Sequence, residues 1–142
     1  MSTLFQHSRV AVAAMGLALG ALTGISAAAD VELSLSGAHE VPPVQTSASG
    51  QGVISVGDDL SVSGSVTTTG VAGTMAHIHQ AAAGENGPII IPLEKKSDGE
   101  WSVPAGARLT DAQYKAYKDG GLYVNVHSDA HKGGEIRDQI KP

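Results

Sequence analysis

"LYVNVHS", residues Leu122 to Ser128, alternates without a break: Leu122, Val124 and Val126 fall on one parity, Tyr123, Asn125 and His127 on the other. Successive side chains of a strand point to opposite faces, so the stretch predicts a β-strand with one apolar and one polar side, His127 near its end on the polar side. "VELSLS" reads the same way, with Val31, Leu33 and Leu35 against Glu32, Ser34 and Ser36. In "GVISVGDDLSVSGSV", Ile54 and Val56 precede a Gly57-Asp58-Asp59 turn and Leu60, Val62 and Val66 follow it, which predicts a β-hairpin. "TMAHIHQ", Thr74 to Gln80, is a further strand. "PIIIPLE", Pro88 to Glu94, is apolar on both parities and reads as a central strand, with Pro92 marking a bulge or an early end. "GEWSV" after the Ser97-Asp98-Gly99 turn and "GEIRDQI" from Gly134 add short strands, and "VPPVQTSASGQG" from Val41 reads as a loop.

One segment breaks the period. In "LTDAQYKAYKDGG", Thr110 is a good N-cap, Asp111 suits the first turn, Gly120-Gly121 stops the helix, and Tyr114 and Tyr117 share a side. About seven or eight short strands with glycine-rich turns and one short helix predict an all-β domain, an antiparallel Greek-key-like sandwich or barrel. Its core draws on Trp101, three tyrosines and aliphatic residues.

The chain opens "MSTLFQHSRVAVAAMGLALGALTGISAAAD", with Arg9 as the only charged side chain before Asp30. A basic residue, an apolar run broken by Gly16, Gly20 and Gly24, and the small residues of "AAAD" predict a signal peptide over residues 1–29 and one domain over residues 30–142. An uncleaved anchor is the alternative, because about 20 apolar residues suffice to span a bilayer. Cleavage leaves no membrane segment and points to the periplasm or the medium. It also leaves 8 basic against 14 acidic residues, a net charge of −6 with histidine neutral. No Lys/Arg cluster is present, which argues against nucleic acid as a partner. The absence of cysteine excludes thiolate metal sites, thiol catalysis and disulfides. No Gly-x-Ser-x-Gly elbow, His-Glu-x-x-His helix or phosphate-binding glycine loop occurs, so the sequence favours a binding protein over an enzyme.

Three blocks, "LSGAHEVPPVQTSASGQG", "AHIHQAAAGENGPIIIPL" and "LYVNVHSDAHKGGEIRDQI", together resemble the CHRD domain, the module repeated in chordin and found alone in exported bacterial proteins. They stand in the family's order and span most of residues 30–142. The resemblance implies an all-β fold, and "HIH" on a strand is similar to the copper-binding strand of the copper/zinc superoxide dismutase sandwich. That enzyme's cysteine pair and long zinc loop have no counterpart here. Two positions depart from the family: His39 stands where Asn or Gln is usual, and His131 is an added histidine.

Five histidines follow residue 30: His39, His77, His79, His127 and His131. Strand parity puts His77 and His79 on one face, with Met75 beside them, and a thioether would favour Cu(I). Two imidazoles on one strand supply two metal ligands, so a third must come from elsewhere. The resemblance makes His127 the first choice, followed by His39 and His131 in flanking loops. Asp129 offers an oxygen or serves only in a turn. The competing reading of the His-x-His pair is a solvated polar strand face. Glu135 and Arg137 share a strand face and suit a structural ion pair; Glu40 reads as an exposed loop acid; Glu85, Asn86 and Gly87 read as a tight turn without chemistry. Two functions stay open: a metal-binding protein, copper first and zinc second, or an interaction module for an envelope or extracellular protein, with those histidines shaping a polar surface.

Overall fold

The structure, a computed structural model, describes residues 27–142; the expected leader lies outside them save for its last three residues. Of these, Ala28 and Ala29 are exposed and pair with Gly57 and Val56 at the start of the first strand.

Nine antiparallel strands form the domain: β1 (Ala28–Ser36), β2 (Ser49–Gly57), β3 (Val62–Thr69), β4 (Gly73–Gln80), β5 (Ile89–Pro92), β6 (Glu94–Ser97), β7 (Glu100–Ser102), β8 (Leu122–Ser128) and β9 (Ile136–Ile140). One helix, α1 (Asp111–Lys118), joins β7 to β8. The alternation in the sequence dictates which side chains go inside. Leu35, Ile54, Val66, Ile78, Val124 and Ile136 meet Trp101 in a single core, all nearly inaccessible to solvent. The β2–β3 hairpin forms in the expected place, and the run from Val41 is a loop only as far as Ala48, since β2 begins at Ser49. Gly64 has φ +132°, and a Cβ there would lie 2.1 Å from the carbonyl oxygen of Val53, so only glycine fits.

The strands follow the order β5-β4-β8-β9-β1-β2-β3-β7-β6. The two ends of this sheet are halves of one segment. Ile89–Pro92 pairs with β4, the Leu93 amide continues that edge by donating to Ala76, and Glu94–Ser97 pairs with β7. The nine strands therefore occupy eight positions around a nearly closed barrel. After β3 the chain runs through β4, β5/β6 and β7, the last returning beside β3, and β8 then lies beside β4. Both returns are Greek-key connections.

"PIIIPLE" is therefore an edge segment and not the central strand its composition predicts. Pro88 and Pro92 have no N–H to donate, so the stretch cannot be bonded on both sides. β5 ends at Pro92, as that proline predicts, and the pairing slips at Ile90, opposite Ile78 and His79. The second difference is larger. Every residue of β8 is buried, polar parity included. The outer face of β4, β8 and β9 is covered by the segments 37–48, 81–88 and 129–135, tied down by Thr46 to Glu135, Asn86 to Val41, and His127 to Lys132. The barrel thus has an apolar inside and, over one wall, a second, polar interior.

Candidate metal centre

Strand register builds this polar interior as rows. Across β4, β8 and β9 it sets His79 beside Tyr123 beside Gln139, and His77 beside Asn125 beside Arg137; Met75 is opposite His127. Since cross-strand partners share a face, three imidazoles converge: His77, His79 and His127 offer ligand atoms all within 4.8 Å of one another. They are only 8%, 7% and 6% exposed, so the solvated strand face is not what forms.

Backbone carbonyls fix two of the tautomers. A carbonyl only accepts, so His127 donates from Nδ1 to Lys132 at 2.9 Å and His79 donates from Nδ1 to Gly87 at 2.9 Å. Both Nε2 atoms are left as lone pairs. His127 Nε2 accepts from His77 Nδ1 at 3.0 Å. His79 Nε2 is buried and makes no hydrogen bond of normal geometry. An imidazole whose far nitrogen is held by a carbonyl is the usual arrangement of a histidine metal ligand. His77, His79 and His127 would hold an ion through ring nitrogens that lie within 4.8 Å of one another. To offer Nδ1 as a ligand, His77 would carry its proton on Nε2 in place of the one it shares with His127.

Electrostatics keep the three rings neutral. Burial pushes His77 down to about 4, aided by the neighbouring His127 and His79. Burial also lowers His79, helped by the neighbouring His127 and Arg137 and opposed by the hydrogen bonds to Gly87 and Asn125; burial and the charge of Arg137 lower His127, against the bond to Lys132. Neutral imidazoles bind metal without having to lose a proton.

Arg137 braces the site from the side. Its Nε donates to Glu40 at 3.0 Å, Nη1 to the Glu85 carbonyl at 2.9 Å, and Nη2 to Asn86 Oδ1. The guanidinium lies 3.9 Å from the centre of the Tyr123 ring, which in turn stacks on His79 with 3° between the planes. Burial raises the Glu40 carboxyl above its usual range, opposed by the charge and hydrogen bond of Arg137 and by Asn125. The ion pair expected between Glu135 and Arg137 is thus replaced. Arg137 takes Glu40, which is buried and not the exposed acid its loop predicts, because the short 3-10 turn Gly37–His39 folds the chain back over β9. Glu135 accepts from Thr46 instead.

His39 and His131 do not join the cluster. His39 is exposed, its Nδ1 3.1 Å from the Arg137 carbonyl oxygen and 3.3 Å from Asp138 Oδ1. His131 closes the turn after β8, its amide donating to the carbonyl and hydroxyl oxygens of Ser128. Asp129 is an exposed turn residue outside the group. The turn Glu85-Asn86-Gly87, assigned no role from sequence, supplies the carbonyl that orients His79 and two contacts to Arg137. Its Asn-Gly-Pro string after "HIHQ" was the only sign of it. Tyr123 and Asn125 were legible by parity with His127.

The family model of the CHRD domain matches residues 31–140. Comparison with curated proteins and with solved structures finds no match.

Proposed function

The chain belongs to the CHRD family, and from its three converging imidazoles we propose that it is an exported metal-binding module, for copper first and zinc second, that holds or passes the ion through His77, His79 and His127. The CHRD domain is a module of extracellular type, and among the described residues no helix is long and apolar enough to cross a membrane. Both are compatible with work in the periplasm or the medium. The observation that carries the reading is the bare Nε2 of His79, buried beside the other two rings and held in the metal-ready tautomer by Gly87. Three neutral imidazoles suit Cu, Zn and Ni alike, and export places the site where no cytosolic buffer withholds copper. The cluster consists of imidazoles alone, a donor set suited to holding an ion.

The test is titration of metal-stripped protein with Cu(I), Cu(II) and Zn(II), alongside the double variant His77→Ala/His79→Ala. One equivalent bound with sub-micromolar affinity, lost in a double variant that keeps the β-sheet circular dichroism, supports the reading. Weak binding that is unchanged by the substitutions refutes it. Metal held by the native state should also raise the melting temperature, with about 2.7 kcal/mol of stabilisation at a hundredfold excess over Kd.

A further inference from the structure

β4 carries an irregularity next to the histidines. Gly73 pairs with Ser128 and Met75 with His127, so two residues of β4 span one step of β8. Thr74 is the extra residue. A Cβ on Gly73 would meet Trp101 and Val126, so that position faces the core, as does buried Ala76; Thr74 and Met75, between them, are both exposed. A bulge of this kind re-aims a side chain, and such bulges gather beside functional sites. Regular alternation from Ala76 puts Met75 on the histidine face, opposite His127, and the bulge beyond it returns Gly73 to the core beside Trp101. Met75 is 51% exposed, matched among large apolar side chains of the described residues only by Ile89, while the imidazoles beneath are nearly closed off.

An exposed methionine gains little from packing. Its chemistry is distinctive: the thioether is soft and uncharged, on a flexible side chain, and selects Cu(I) over Zn(II). Cross-strand Cβ atoms of a pair lie about 4.5–5.5 Å apart, so a methionine can swing over its partner. We propose that Met75 is the fourth ligand of the centre, a thioether cap that closes over Cu(I) held by His77, His79 and His127 and gives the site its preference for that ion. The inference rests on the metal-binding reading above. The cap is also the exchange point. An incoming soft donor can displace the one ligand that reaches solvent while three imidazoles keep hold of the ion.

The experiment compares wild-type protein, Met75→Leu and His77→Ala/His79→Ala in competition for Cu(I) against a chromophoric chelator, and for Zn(II) against a zinc indicator. Leucine keeps the size and exposure of the side chain and removes only the sulfur. The expected result is a loss of about tenfold or more in Cu(I) affinity for Met75→Leu with Zn(II) affinity unchanged. X-ray absorption of the wild-type Cu(I) protein should show one sulfur at about 2.3 Å that is absent from the variant. Equal Cu(I) affinity in wild type and Met75→Leu, with only nitrogen around copper and binding still lost in the double histidine variant, overturns the cap and leaves the histidine site standing. Wild type that binds neither ion overturns both.

Discussion

Gly87 shows how much of the site depends on a residue without a side chain. Its carbonyl holds His79 in the tautomer that leaves Nε2 bare, and its amide donates to the Tyr123 hydroxyl at 3.2 Å. A Cβ would sit 1.9 Å from the Gln80 carbonyl oxygen, so Gly87→Ala must push the turn away from β4. We expect metal affinity about 10- to 100-fold weaker in that variant with the sheet intact, measured by the same chelator competition, because the ligand itself is untouched and only its orienting partner moves. At this scale the sequence was readable where the contact is local. His77 and His79 share a face by strand parity alone, and His127 followed from the family blocks. Glu40 was misread because its partner Arg137 lies at the far end of the chain, and no periodicity near residue 40 announces a buried carboxylate. Glu85-Asn86-Gly87 looked like an ordinary turn for a related reason. Its role is carried by a carbonyl, which every residue has.

Elements were legible in proportion to how local their determinants are. The helix formed within the stretch that its signals marked: Thr110 Oγ1 accepts from the Gln113 amide and the Gln113 side chain answers the Thr110 amide, while Gly120 ends it with φ +75°. Tyr117 anchors it, 1% exposed, with the Tyr114 ring 5.9 Å away. Thr110→Ala removes the acceptor for the first turn and should cost about 1 kcal/mol in urea unfolding. Metal affinity should not change, since neither Thr110 nor the helix contributes to the cluster. The opposite case is β5. Composition marked it as a central strand, whereas its two prolines decide its position, because lacking donors is a property of the sheet's edge and not of hydrophobicity. The face of β8 failed in the same direction. Alternation correctly separates two sides, but it does not say that loops from elsewhere will roof the polar one.

For the whole molecule, the all-β class and the antiparallel Greek-key arrangement followed from strand number and turn chemistry; the closure did not, because it depends on one segment serving two neighbours. The buried imidazoles also give the whole domain a pH dependence. A histidine whose pKa is lowered by folding takes up protons more readily unfolded, so its contribution is intact above the unfolded value near 6.5 and is lost as the pH falls toward the folded value, about 4 for His77. His79 and His127 act in the same sense, and Glu40, raised on folding, opposes them. Three imidazoles outweigh one carboxyl. Metal-free protein should therefore lose stability between about pH 6.5 and 4. Urea midpoints across that range check this, and His77→Gln should flatten the profile. A midpoint that does not move would show the imidazoles to be open to water.

The barrel joins its first and last described strands: β1 lies between β2 and β9, with Ser36 opposite Arg137. The arginine that braces the histidines thus sits where the first and last described strands meet, across most of the length of the chain. Contacts so distant in sequence form late, once the intervening loops have been closed. A consequence for biogenesis follows from the proposed function: a nascent or half-folded chain carries the histidines but not their geometry, so an ion would be taken up only after folding is complete.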